Sequence, residues 1–385
     1  MPNKSSPIVY LDNNSTTELS QDVSGILMDI IVSNIYGNPN SPHDYGTKMR
    51  TVVEAARYGV SEALSCSPNE VIFTGGGTES NNLAIRGVYN NFLDVPEELV
   101  ISAGEHSSVY NTALAVASED NIRIIPLTAE GGLDMEWADR LITEDTSLVS
   151  VMLANNETGA LFPVKEIVEL AHSRGVLVHC DAVQAFGKVN IDVKDLGVDL
   201  LSISGHKAHA LPGVGALYIR RGVMVHPLLS GGGQEGGLRP GTENYVGIAT
   251  LGAVSNEITE NPHGFSSGLR DAFEKGITRR IDNIVINANS VARTPNTSSV
   301  TFKGIHALSM VTALAEQGIY VSAGAACSTG STKPSRTLTS MGVCEEDALS
   351  TVRFSFSKMS SMEDTALAIE ACVRCVTALR QGHVE

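Results

Sequence analysis

Val176-Leu177-Val178-His179-Cys180-Asp181-Ala182-Val183-Gln184 and Leu200-Leu201-Ser202-Ile203-Ser204-Gly205-His206-Lys207 are the two stretches from which the fold can be read. Each is a short apolar run that ends on a polar or reactive side chain. Runs of this length, rich in branched residues, are what strands buried on both faces of a parallel sheet require. Similar runs occur at 71–74, 99–102, 122–127, 148–154 and 214–219. Helical stretches separate most of them. Met49, Val52, Val53, Ala56, Val60, Ala63 and Leu64 follow i, i+3, i+4 spacing and share one helix face. Ser67-Pro68-Asn69 then breaks the chain before the run at 71–74. A further helix has Pro163 at its start and Gly175 just past its end. Seven short strands alternating with helices predict an α/β fold whose large domain holds a mostly parallel seven-stranded sheet.

After Tyr245 the pattern changes. A helical stretch at 248–256 leads through Asn261-Pro262-His263-Gly264 to strand-like 296–302 and helical 307–316. A Gly/Ala/Ser-rich stretch at 322–331, strand-like 351–357 and a final helix complete a smaller α+β domain. The expected division is a large domain over 21–257 and a small domain built from 1–20 and 258–385. The 385 residues are 42% hydrophobic, enough for packed cores and too many for a disordered chain. Lys plus Arg total 27 against 43 Asp plus Glu, a net charge of −16 that repels phosphate backbones and anionic lipid. Direct nucleic-acid or membrane binding is therefore not expected, and no apolar run has the length of a membrane span. Met1 to Tyr10 lacks the apolar core of a signal peptide. Six scattered Cys do not make a disulfide framework. These features predict a soluble cytoplasmic protein with free thiols.

In open α/β sheets ligands bind beyond the carboxyl ends of the strands, so the residues that follow each run are informative. Gly75-Gly76-Gly77-Thr78-Glu79-Ser80 follows the first, Glu105-His106 the second, and Asn155-Asn156-Glu157-Thr158-Gly159 the run at 148–154. Asp181 with Gln184, and Gly205-His206-Lys207, follow two more. The glycine run offers backbone N–H groups and the positive end of a helix to an anion. It lacks the Gly-Lys of a Walker A loop, and Ser80 stands where G-x-G-x-x-G needs its last glycine. A phosphate is indicated without ATP or NAD in particular, and a plain tight turn is the competing reading. Lys207 alone could be a surface lysine, and Asp181 alone a helix cap. Together with the glycine run they match the needs of pyridoxal phosphate: a Schiff-base lysine, an acid for the pyridinium nitrogen and a phosphate cradle. His106 can stack on the ring, and Gln184 and Asn156 can reach its phenolic oxygen.

These residues also carry a family resemblance. Tyr10-Leu11-Asp12 with Thr16-Thr17, Gly37-Asn38-Pro39, Gly77-Thr78-Glu79-Ser80, Glu105-His106 and Ala154 through Gly159 resemble cysteine desulfurases of the NifS/IscS group, in the class V aminotransferase family. So do Asp181-Ala182-Val183-Gln184, Ser204-Gly205-His206-Lys207, Gly231-Gly232-Gly233-Gln234-Glu235, Arg239 through Asn244, Gly324-Ala325-Ala326-Cys327-Ser328 and Val352-Arg353-Phe354-Ser355. The resemblance covers nearly the whole chain in order. It implies the aspartate-aminotransferase-like fold, PLP fold type I, and a homodimer with sites at the subunit interface. By the same resemblance Lys207 is the Schiff-base lysine, Asp181 the partner of the pyridine nitrogen and His106 the stacked imidazole. Asn156 and Gln184 match ring contacts. Gly77, Thr78, Ser204 and His206 match the phosphate site, with Thr242 reaching the phosphate of the neighbouring subunit. Arg353 resembles the clamp on the substrate carboxylate, assisted by Asn38, a task suited to a planar fork.

The activity so implied converts L-cysteine to L-alanine. Lys207 removes the Cα proton, the Cys327 thiolate attacks the substrate sulfur, and the resulting persulfide is delivered to an acceptor protein for iron–sulfur cluster assembly or thiolation. His106 is the expected acid/base partner, and Cys327 is expected to have a tuned thiol pKa. The competing readings are a selenocysteine lyase, which shares the fold and depends less on Cys327, and a non-catalytic PLP-binding regulatory protein. Two departures from the family pattern stand out. Ala208-His209-Ala210-Leu211-Pro212-Gly213 replaces the usual Pro followed by Lys or Arg, removing a positive charge near the site. Glu385 ends the chain without the longer tail with which IscS-type members dock their scaffold. Cys372-Val373-Arg374-Cys375 has no second pair for zinc. Cys66, Cys180, Cys344, His172, His209 and His226 fit no ligand set, so no metal is expected.

Overall fold

In the computed structural model, residues 8–33, 36–89, 98–261, 265, 267–324 and 333–382 are described. The first half of the chain runs β1 (Val9–Tyr10), α1 (Gln21–Val32), α2 (Asp44–Leu64), β2 (Val71–Thr74), α3 (Gly77–Tyr89), β3 (Glu98–Ser102), α4 (Ser107–Val116), β4 (Ile122–Ile125), α5 (Met135–Leu141), β5 (Thr146–Met152), α6 (Val164–Ser173) and β6 (Leu177–Asp181). It continues with α7 (Val193–Leu196), β7 (Leu200–Ser204), β8 (Gly215–Ile219), α8 (Tyr245–Glu260), α9 (Gly268–Thr278), β9 (Ile284–Ile286), β10 (Thr297–Phe302), α10 (Ala307–Glu316), β11 (Ile319–Tyr320), α11 (Arg336–Ser340), α12 (Glu345–Leu349), β12 (Thr351–Ser355) and α13 (Met362–Arg380).

The seven apolar runs pair into one sheet of order β2-β8-β7-β6-β5-β3-β4. All neighbours are parallel except β8, which lies antiparallel to both β2 and β7. Strand β4 stops at Ile125, short of the expected 127, because Pro126 has no N–H to continue the ladder. Strand β5 stops at Met152 and Ala154 bridges back to Leu161 instead. Alternate residues feed two cores, as the pleat demands. Val71, Phe73, Val100, Leu201 and Ile203 face α2, α6 and α8, whereas Ile72, Leu99, Ile101 and Leu200 face α3 and α4. Helices α2 and α8 approach closely at Gly252, where a Cβ would lie 2.6 Å from the Cα of Ala56.

A third core surrounds the three-stranded sheet β12-β10-β9 and draws on Val9 and Leu11 from the N-terminal strand. Phe273, Phe302, Phe354 and Phe356 fill it, with the Phe273 and Phe354 rings 4.5 Å apart. Leu338, Met341 and Ala348 instead pack into the core beneath the large sheet. Strand β1 pairs in parallel with β11. The bond from the Asn13 side chain to the Ser355 carbonyl (2.8 Å) then steers residues 12–17 across the ends of the large sheet. No helix among the described residues is long and apolar enough to cross a membrane.

Candidate active site

The 12–17 segment meets the residues that follow β6 and β7, where Gln184 and Lys207 donate to the Asn14 carbonyl. Gly75, Gly76, Gly77, Thr78, Ser204 and His206 line a cavity of about 720 Å³. Gly76 has φ +144°, left-handed backbone that favours glycine, and at Gly77 a Cβ would sit 2.5 Å from Cγ2 of Val183. Glycine therefore lets the backbone turn tightly into α3 and leaves the first amides of that helix facing the cavity, an arrangement that suits an anion. Glu79, which also lines the cavity, braces the turn, accepting from Gly75 N (2.8 Å) and Arg239 Nε (2.9 Å). Burial, with the Lys207 ammonium adding to it, holds the His206 pKa down at about 4, so this imidazole is neutral near pH 7.

Lys207 is half-buried and its Nζ donates to the carbonyls of Asn14 (2.6 Å) and Ser15 (2.5 Å). Asp181 ends β6, in register with Met152 and Ser202, and is buried. Its carboxylate accepts from Asn81 Nδ2 (2.7 Å) and Val183 N (3.0 Å). Gln184 donates to the Asn14 carbonyl (2.9 Å). The Asn156 carbonyl accepts from Asn14 Nδ2 (3.2 Å) and Arg353 Nη1 (2.8 Å). Arg353, on β12 and 3% exposed, also donates to Asp12 Oδ1 (2.8 Å) and Ser15 Oγ (3.0 Å). His106 caps α4, its Nδ1 accepting from Ser108 N (3.1 Å).

Of the expected site residues, Gly77, Thr78, Ser204 and His206 line the cavity, whereas Lys207, Asp181, Gln184, Asn156, His106, Arg353, Asn38 and Thr242 do not. Asn38 and Thr242 are exposed, on neighbouring turns tied together by Asn40 Nδ2 donating to Glu243 (3.0 Å). The turn before Thr242 is anchored by Glu235, whose left-handed backbone (φ 47°) is held by a bidentate pair with Arg57 (2.7 and 2.9 Å) and by Phe73 N (2.7 Å). Cys327 lies outside the described residues. Among the other cysteines, burial pushes the Cys66 thiol up to about 12 and Cys375 up to about 11. His172 pairs with Asp199 (2.9 Å), and His209, in left-handed backbone, bonds the Glu18 carbonyl. No group of His, Cys, Asp and Glu among the described residues has metal-binding geometry.

Several polar residues that sequence reasoning passed over organise this site. Asn14 accepts at its carbonyl from Lys207 and Gln184, and at Oδ1 from Lys188 (2.9 Å) and Asn296 (3.0 Å). Its amide donates to Thr297 Oγ1 (2.9 Å). Lys188 also donates to Gln184 Oε1 (2.6 Å); its burial, then the charges of Lys207 and Arg353, hold its pKa well below the ordinary lysine value. The only local hint was position, next to the quoted motifs. Glu105, beside His106, accepts from Ser102 Oγ (2.5 Å) and Met152 N (2.8 Å).

Burial above all, aided by the Asp181 charge, raises the Glu105 pKa to about 8 from an ordinary 4.5, overriding the lowering effect of its hydrogen bonds. Between those values the folded protein keeps a proton that the unfolded chain has released. Stability from this group is therefore fully present below pH 4.5 and is lost as pH rises through about 8. Glu105→Gln keeps the carbonyl acceptor and cannot titrate. Denaturation from pH 6 to 9 is expected to show wild type losing up to roughly 1.4 kcal/mol per pH unit relative to the variant. Parallel curves would mean that Glu105 is ionised throughout.

The family model "Aminotransferase class-V" matches residues 9–367. A cysteine desulfurase of Nostoc sp. is 37% identical over 379 residues, spanning 97% of this chain and 94% of that protein. The cysteine desulfurase NifS of Azotobacter vinelandii is 37% identical over 379 residues, spanning 97% and 93%. A solved structure described as a "NIFS-like protein" superposes with a TM-score of 0.88 at 32% identity, over 96% of this chain and all (100%) of that one. The large mostly parallel sheet with its smaller antiparallel neighbour is thus the PLP fold type I architecture. By sequence and by fold, the chain belongs to the class V aminotransferase family, in the NifS/IscS group of cysteine desulfurases.

Proposed function

We propose that this protein is a pyridoxal-phosphate-dependent cysteine desulfurase that converts L-cysteine to L-alanine and takes the sulfur onto Cys327. The observation that carries this reading is a hydrogen-bond network that ties Lys207, Gln184 and Arg353 to the 12–17 segment and buried Asp181 to His106 through Asn81 and Ser108, with a glycine-lined cavity that reaches His206, next to Lys207. The donor set suits the cofactor: backbone amides for a phosphate, a carboxylate for a pyridinium and an amine for an aldehyde. Gly77, Thr78, Ser204 and His206 would hold the phosphate, joined by Thr242 from a second subunit. Asp181 would hold the ring nitrogen, His106 the ring face, and Asn156 and Gln184 its oxygen. When bound, the cofactor supplies an electron sink for the substrate's Cα.

Arg353 and Asn38 bind the substrate carboxylate. Lys207 Nζ takes the Cα proton. The substrate C–S bond breaks, its sulfur joins Cys327 Sγ, and protons returned to carbon leave alanine and an enzyme persulfide, with no outside oxidant required. In this reading 21–257 carry the cofactor, and 1–20 with 258–385 carry the Cys327 loop. The protein works as a cytoplasmic homodimer that passes sulfur to an acceptor protein. The curated relatives, named cysteine desulfurases, support the activity, and the acidic composition argues against nucleic-acid and anionic-lipid surfaces.

The test measures alanine from L-cysteine and L-selenocysteine with wild type and Cys327→Ala. Alanine from cysteine is expected to fall by on the order of 10³-fold or more in the variant, because the sulfur loses its acceptor. Equal activity of both proteins, confined to selenocysteine, would overturn the assignment in favour of a lyase.

A further inference from the structure

His106 is linked to Asp181 by two buried polar side chains. Asn81, 1% exposed on α3, places Nδ2 2.7 Å from Asp181 Oδ2 and 2.9 Å from Ser108 Oγ. Ser108 Oγ in turn lies 2.8 Å from His106 Nδ1, which also receives the Ser108 backbone N–H at 3.1 Å. The chemistry of the partners sets the direction of every bond. A carboxylate only accepts, so Asn81 must turn its NH₂ toward Asp181. The Ser108 hydroxyl accepts from that NH₂ and has its own proton left for His106. A backbone N–H can only donate. Two donors therefore meet at Nδ1, which carries no proton, and the ring proton sits on Nε2.

We propose that Ser108 and Asn81 are positioning residues that hold His106 as the neutral Nε2–H tautomer, so that it acts as a hydrogen-bond donor at Nε2 and not as a proton-accepting base. Protonation would have to occur at Nδ1, breaking the cap of α4 and placing a cation at the positive end of that helix. A neutral imidazole at a helix N-terminus is a known way to supply a hydrogen bond without charge. The abstraction of the Cα proton is then left to Lys207. This inference rests on the desulfurase reading for its catalytic meaning, but the tautomer itself does not.

The test uses holoenzyme labelled with ¹⁵N-histidine, with the His106 signals assigned by their absence in His106→Gln. At neutral pH, wild type is expected to show an unprotonated, acceptor-type Nδ1 and a protonated Nε2. Ser108→Ala removes one of the two donors, so both nitrogens should move toward averaged tautomer values. Ser108→Thr should restore the wild-type pattern. In turnover, Ser108→Ala is expected to lower kcat about five-fold with KM within about two-fold, and Ser108→Thr to recover it. A protonated Nδ1 in wild type, or an unchanged spectrum in Ser108→Ala, would overturn the proposal. If the protein did not desulfurate cysteine, the kinetic arm alone would be silent while the nitrogen shifts still decided the tautomer.

Discussion

Lys207→Ala is expected to abolish the visible absorbance of a lysine-bound cofactor and to reduce alanine formation by on the order of 10⁴-fold or more. The amine is both the covalent anchor and the base for the Cα proton, and the Asn14 and Ser15 carbonyls that hold it have no means of replacing it. Truncation takes this donor from the Ser15 carbonyl, while the Asn14 carbonyl keeps Gln184, so some loss of stability accompanies the loss of chemistry. Lys207→Arg separates the two effects. A guanidinium keeps the charge and the donors and stays protonated, so it neither attacks an aldehyde nor removes a proton. The arginine variant is expected to melt near wild type and to be as inactive as the alanine variant. Absorbance and turnover that survive in Lys207→Arg would remove the site assignment entirely.

Arg353→Lys is expected to raise KM for L-cysteine about 50-fold with a smaller change in kcat. Losing one bidentate charge-assisted contact is worth ~2–3 kcal/mol, and an ammonium cannot present two parallel N–H groups to a carboxylate. Arg353 is buried, its Nη groups engaged by Asn156, Asp12 and Ser15, while its Nε has no hydrogen-bond partner among the described residues. Lysine preserves a positive charge for Asp12, so the fold should survive. Arg353→Met, by contrast, leaves the Asp12 carboxylate without its cation and is expected to destabilise the protein by about 3–5 kcal/mol. Steady-state kinetics on the lysine variant and denaturant unfolding of both separate substrate binding from structure. An unchanged KM in Arg353→Lys would confine Arg353 to holding Asp12 and the 12–17 segment.

Much of this architecture follows from local pattern. An apolar run between turn residues forms a strand wherever its neighbours are, so the strands and the reactive residues at their ends could be read along the chain. The positions of Asp181 at the end of β6 and of Lys207 in the turn after β7 follow from that rule. The strand order could not be read this way, because β8 enters antiparallel between β2 and β7 and no local signal marks that choice.

The polar network was also out of reach. Asn14 meets Ser355 across 341 positions and Thr297 across 283, Asp181 meets Asn81 across 100, and Lys188 looks like any lysine after a glycine. An asparagine or serine has no preferred distant partner in its own sequence; its partner is whatever acceptor the docked segments bring within 3 Å. Sequence alone thus determined the sheet, the family and the types of reactive group. Tertiary docking decided which nitrogen of His106 carries the proton, which cation faces Asp12, and how Lys207 is held. Those are differences between water and protein partners for the same group, and only packing removes the water.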